Sequence, residues 1–366
     1  MNHHALRAGP HALSRTAARF ARIVASPVAL AFALAFATAV PAQTPVADPS
    51  TQSSPPQTRN LYERIVVIGA SASDGFGVFI HPTESSEATK PPMQPEGAAS
   101  AKPRRVPPVS VSLAMILRHA GARSTPAATD LPTPDTAPNL PTIRHFTSGF
   151  FFANPGPVAR SEVDRAMDAQ PTLVLALDYL FWFAYGTVNA EGAPMHGGAQ
   201  RLENLERGLQ QLQRIIDAGA PIVLGDIPDM RESIGRMLSK AQVPDVETIT
   251  TANERIRAWI RDHPSARLLP LSEVQAGLRE RRPVRLGGRE WTSTDEVPLL
   301  QNDQLHPTFV GTVAIASALI DTARAFDSDD PAPFRFDPDE IRGKILEAKA
   351  ARPQPQPVKE SSPSAP

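Results

Sequence analysis

Uninterrupted apolar runs recur along the chain at Ile65-Val66-Val67-Ile68, Leu173-Val174-Leu175-Ala176-Leu177 and Pro221-Ile222-Val223-Leu224-Gly225, with a shorter one from Ala266 to Leu271. A strand wet on one side alternates apolar with polar residues, whereas a continuous run signals cover on both faces. Thr142 to Thr147 reads as a further short strand. Helical spacing appears between the runs. Leu202, Leu205, Leu209, Leu212, Ile215 and Ile216 mark an amphipathic helix over 201–218 that stops at Gly219. Val111, Ala114, Met115 and Leu117 suit a helix ending at Gly121, and 248–261 reads as another. Ser161 followed by Asp164 approximates a capping box and predicts a helix start. His306-Pro307 is expected to open a last long helix to Ala325, and 337–350 a peripheral one in a Pro-rich tail. Buried strands alternating with helices predict a mostly parallel sheet covered on both faces.

Length and composition bound this picture. The chain has 366 residues, enough for one sizeable α/β domain plus appendages. Basic and acidic residues nearly cancel, 37 against 38, which removes the electrostatic case for nucleic-acid binding. The absence of cysteine excludes disulfides, thiolate metal sites and a cysteine nucleophile. His81, His145, His196 and His263 have no spacing that would pair them on a metal, so no metal site is expected. There is no Walker lysine and no Gly-x-Gly-x-x-Gly opening a helix.

The 39 prolines, about twice average usage, concentrate in a few stretches. Arg15, Arg19 and Arg22 precede the apolar segment Val28–Phe36, and Val40-Pro41-Ala42 has the small residues of a signal-peptidase site. We read 1–42 as a secretory signal rather than a retained anchor, because its apolar core falls short of the roughly 20 residues a spanning helix needs. Residues 43–61 then form a polar linker, 62–328 the domain, and 329–366 a Pro-rich tail. Two stretches within the domain, 81–108 and 124–141, carry too few large apolar residues to order themselves and read as disordered insertions. The expected location is periplasmic or secreted, with no stable membrane span after cleavage.

In parallel sheets the reactive groups gather beyond the carboxyl ends of the strands. Ser71, Gly149, Asp178 and Asp226 each lie just past a strand. Ser71 sits in Gly69-Ala70-Ser71-Ala72-Ser73-Asp74-Gly75, where a Gly-flanked turn can lift a hydroxyl to the mouth of the sheet; the plainer reading is a Ser-rich turn. Asp303 and His306, in Asp303-Gln304-Leu305-His306-Pro307, are spaced so that the carboxylate can reach the near ring nitrogen and leave the far one free. Here the plainer reading is a helix cap beside a surface histidine. The aromatic run Phe181-Trp182-Phe183-Ala184-Tyr185 is either an apolar wall for a substrate or core packing.

Together the two motifs resemble the first and last blocks of the SGNH (GDSL-type) hydrolases, the last one, Asp-x-x-His-Pro, without a departure. The resemblance runs from about 62 to 326. It implies a flavodoxin-like three-layer α/β/α sandwich with a five-stranded parallel sheet, Ser71 as nucleophile, His306 as base and Asp303 as the residue that orients it. It also implies an oxyanion hole from the N–H groups of Ser71 and Gly149, with Gly156 a second choice for the latter. The family's third donor is an asparagine, and Asp178 stands in its place. An ionised aspartate only accepts, so Asp178 would have to be protonated or point elsewhere, or Asn154 or Asn189 would have to fill the gap. Ala70 replaces the family's usual aspartate.

The expected function is therefore an exported serine esterase or deacylase. Its substrate would be a small-molecule, lipid or glycan ester, with Tyr179, Trp182 and Pro228 beside it and no cofactor. The alternative is a weak or inactive binding protein of the cell envelope on the same fold.

Overall fold

The computed structural model describes residues 60–82, 107–121, 140–327 and 332–351. The expected signal segment, the linker up to residue 59 and most of both insertions lie outside the described residues.

Five strands form one parallel sheet: β1 (Arg64–Gly69), β4 (Thr142–Thr147), β5 (Leu173–Ala176), β6 (Ile222–Gly225) and β7 (Ala266–Leu269), in the order β4-β1-β5-β6-β7. This is the doubly wound 2-1-3-4-5 arrangement, and the fold is a three-layer α/β/α sandwich with β1 between β4 and the middle strand β5. The period-two geometry of a strand divides each apolar run between two cores. Ile65, Val67, Leu173, Leu175 and Val223 face one core with the helices α2 (Leu113–Gly121), α8 (Phe309–Ala323) and α9 (Pro338–Ala350). Val66, Ile68, Val174, Ala176, Ile222 and Leu224 face the other with α3 (Pro155–Asp168), α5 (Gly198–Asp217) and α6 (Val246–Asp262). Helix α8 is apolar almost all round because it is buried, not because it crosses a membrane.

Two small antiparallel ladders flank the sheet. β2 (Phe79–Ile80) pairs with β3 (Val109–Ser110), so the 81–108 segment leaves and returns at neighbouring points. β8 (Val284–Leu286) pairs with β9 (Arg289–Trp291).

Several expected boundaries move. α3 starts at Pro155, six residues before Ser161. The prolines at 155 and 157 occupy the first turn, where a missing N–H costs nothing. α8 begins at Phe309, with the Thr308 hydroxyl accepting the Gly311 N–H at 3.2 Å. His306-Pro307 therefore belongs to the preceding loop. A one-turn helix, α1 (Ser71–Asp74), and α7 (Leu271–Arg279) were not expected. Nor is the helix expected over 337–350 peripheral. Ile341 and Ile345 of α9 are buried in the core, and Phe334 meets Tyr62 edge-on.

Candidate active site

The Ser71 turn is built from beneath. β1 ends at Gly69 with φ +142°, and a Cβ there would collide with the Asp178 carboxylate and the Ser73 hydroxyl, so only glycine lets the chain pass this close. Asp178, just after β5, accepts the N–H of Ala70 at 2.9 Å, of Ala72 at 2.8 Å and of Ser73 at 3.4 Å, and the Ser73 hydroxyl at 2.6 Å. It thereby satisfies donors at the start of α1 that the helix itself leaves unpaired. Burial pushes the Asp178 carboxyl up, against the pull of the Ser73 hydroxyl and the backbone donors. Beside it, Glu162 of α3 accepts the Gly69 N–H at 2.9 Å on one oxygen, while its other oxygen has no partner among the described residues. Burial raises the Glu162 carboxyl to about 9, the Gly69 N–H opposing and the charge of Asp178 adding to the rise.

On this base the turn presents Ser71 to the loop before α8. The Ser71 Oγ lies 2.8 Å from His306 Nε2, and His306 Nδ1 lies 2.7 Å from Asp303 Oδ2. The other Asp303 oxygen accepts the N–H of Leu305 at 2.9 Å and of His306 at 3.0 Å. The segment is thus a turn closed by the aspartate, not a helical turn. Gln304 adopts φ +59° within it, and Gln275 of α7 donates to the Gln304 carbonyl at 3.1 Å. Burial raises the Asp303 carboxyl, but the bonds from the His306 ring and from the His306 and Leu305 N–H groups outweigh it and hold it below the ordinary aspartate value. His306 is 3% exposed, with the Phe76 ring 4.7 Å from its own. Carboxylate, imidazole and hydroxyl form one continuous chain, in which a proton can pass from Ser71 Oγ to His306 Nε2 while Asp303 fixes the opposite nitrogen as a donor.

Searches against protein-family models and curated proteins give no match. One solved structure that resembles the fold is a gut microbial diltiazem-metabolizing enzyme, at 16% identity and a TM-score of 0.38. The match takes in 71% of this chain but spans only 46% of that one.

The remaining sequence-selected residues fall elsewhere. Asp178 is not a donor facing Ser71; it lies under the turn and only accepts. Asn189 spends its carbonyl oxygen on the N–H groups of Glu191 and Ala193, closing its own loop. Asn154 is exposed ahead of α3. At Gly156 a Cβ would collide with the Ala190 backbone, which accounts for that glycine by packing. Gly149 follows β4, and a Cβ placed there would lie 3.4 Å from Asp74 Oδ2 at the far end of α1. Neither the Ser71 nor the Gly149 N–H donates to an acceptor among the described residues.

Tyr179, Trp182 and Pro228 do not form a substrate wall. Tyr179 is fully buried, with its hydroxyl on the Ala159 carbonyl at 3.2 Å and its ring against Phe151. Trp182 is buried against Phe181 and Phe152. Pro228 is buried with its carbonyl taken by the Tyr185 hydroxyl at 2.8 Å. The aromatic run is core packing. The exposed rings are others: Phe79 of β2 at 52%, and Phe76 at 46%, Phe150 at 75% and Phe152 at 42% on the segments that leave α1 and β4.

Two concavities of about 620 and 550 Å³ occur elsewhere, the first beside Phe183 and Arg207 and the second beside Val274 and Leu286; neither is lined by Ser71 or His306. The proton path, not volume, marks the candidate site.

Sequence reasoning missed Glu162, although a signal existed. It sits between Ala159, Val163 and Ala166 on the buried face of α3, where a carboxylate has no place unless it has work to do.

Proposed function

We propose that this protein is a serine hydrolase of the SGNH type that cleaves esters through an acyl-enzyme on Ser71. The observation that carries the reading is the 2.8 Å approach of Ser71 Oγ to His306 Nε2, backed by Asp303. In the first step His306 takes the Ser71 proton as the oxygen attacks the ester carbonyl carbon. The negative charge that develops on the carbonyl oxygen is met by the free N–H groups of Ser71 and Gly149. The tetrahedral species collapses, and His306 hands its proton to the departing alcohol. Water then attacks the acyl-enzyme with His306 again as base, returning Ser71 and releasing the acid.

The exposed Phe76, Phe150 and Phe152 favour an ester with an apolar group among the candidate lipid, glycan and small-molecule esters. The segment 1–42 supports export to the periplasm or beyond.

A binding protein without turnover is the second reading. It draws on Asp178, whose position leaves no side-chain donor in place of the family's asparagine; one missing donor typically costs about 100- to 1,000-fold in rate. Labelling with a fluorophosphonate and turnover of p-nitrophenyl butyrate separate the two. Under the hydrolase reading the protein labels once, hydrolyses the ester, and loses both in Ser71→Ala. An unlabelled, inactive protein with Ser71 intact leaves only the binding reading.

A further inference from the structure

Ser71 and His306 stand on segments 235 residues apart in the chain, and among the described residues only two hydrogen bonds join Ser71–Ile80 to Leu299–Thr308. One is the Ser71–His306 bond itself. The other comes from Gln301, whose Nε2 donates to the Phe76 carbonyl at 2.8 Å and to the Pro307 carbonyl, also at 2.8 Å. One amide nitrogen thus spends both protons, one on the segment that carries the hydroxyl and one on the segment that carries the imidazole. The Gln301 backbone N–H completes the joint by donating to the His306 carbonyl at 2.8 Å. Its side-chain oxygen lies against Gly77, where φ is +70° and a Cβ would collide with it. Phe76, whose carbonyl Gln301 holds, in turn donates its N–H to the Ser71 carbonyl at 2.9 Å and lays its ring on His306.

We infer that Gln301 is a positioning residue that sets the Ser71–His306 separation and keeps it when their own hydrogen bond is lost. The inference rests on the hydrolase reading. That bond cannot survive the reaction, because once Ser71 Oγ is acylated it has no proton to donate. From then until water attacks, Gln301 is the one remaining hydrogen-bonded strut between the two segments among the described residues. A base displaced by about 1 Å costs on the order of 100-fold in rate, so the strut acts on kcat rather than on substrate binding.

The test uses Gln301→Met, which keeps the length and removes both donors, and Gln301→Glu, which sets a carboxylate against two carbonyl oxygens. For Gln301→Met we expect kcat on p-nitrophenyl acetate to fall about 10- to 100-fold, KM to stay within about twofold, and fluorophosphonate labelling to slow by a similar factor. For Gln301→Glu the activity relative to the unaltered protein should rise as pH falls, since a protonated carboxyl regains one donor; a purely structural role would not produce that trend. Thermal melting identifies a variant that has not folded, and the other then decides, by kcat and labelling for Gln301→Met or by the pH trend for Gln301→Glu. Unchanged kcat and labelling in Gln301→Met, with Ser71→Ala dead, overturns the role of Gln301 and leaves the hydrolase standing. Unchanged turnover in Ser71→Ala overturns both.

Discussion

The Asp178 carboxylate takes the Ser73 hydroxyl at 2.6 Å from below, so the residue two positions after Ser71 is anchored to the end of the neighbouring strand β5. With the N–H groups of Ala70 and Ala72 on the same carboxylate, the turn is suspended from one acceptor at two oxygens. An amide cannot replace it, because one of its two ends would face N–H donors with further N–H groups. Asp178→Asn should therefore lower kcat on a p-nitrophenyl ester by about 100-fold or more, with a lower melting temperature, since hydrogen bonds to a charged group are worth about 1.5–3 kcal/mol each. Activity equal to the unaltered protein would mean that the carboxylate does not hold the turn.

Asp303→Asn removes the acceptor that holds the His306 ring and offers an amide donor to Nδ1 instead. The imidazole would then turn its hydrogen toward Ser71 and could not act as base. We expect kcat to fall by about 10⁴-fold with KM little changed. A loss of less than tenfold would show that His306 is oriented by something else.

Glu162 makes stability depend on pH. Its carboxyl is raised to about 9 in the fold, from an ordinary value of 4.5. Between those values the unfolded chain has released a proton that the native state keeps, so the contribution is full below pH 4.5 and is lost as pH rises toward 9. Glu162→Gln removes this dependence. Denaturant unfolding should show the variant gaining on the unaltered protein steadily from pH 5 to pH 9; parallel curves across that range would contradict a buried neutral acid.

The aromatic residues divide by exposure. Tyr179→Ala empties a site in the core and should cost about 3–5 kcal/mol of stability. Phe150→Ala, at a ring 75% exposed, should change stability by less than about 0.5 kcal/mol. If the exposed rings receive an apolar group, Phe150→Ala should raise KM for p-nitrophenyl octanoate more than for the acetate. Equal effects on the two esters would remove Phe150 from substrate contact.

The strands β1, β5 and β6 were legible because both faces of each are covered, which writes itself as a continuous apolar run. Ser71, His306 and Asp303 are marked by local spacing in the chain, and the fold brings the three within hydrogen-bond reach. Asp178 is placed at the end of its strand by the sequence, but its direction is not. Whether its carboxylate points up to a substrate or down to the turn depends on the room left by Gly69 and on the Ser73 hydroxyl, which are contacts between distant segments. The start of α3 was misplaced because Pro155 and Pro157 break a helix anywhere except in its first turn. Gln301 left no trace at all, since its partner Phe76 lies 225 residues away and offers only a backbone carbonyl.

With β1 the first strand of the chain and His306 beyond the last, a growing chain carries its hydroxyl for most of synthesis with no imidazole to accept the proton. Under the proposed hydrolase reading, any truncated product that ends before residue 306 would be inert toward esters, and competence would arrive only with the finished, folded polypeptide.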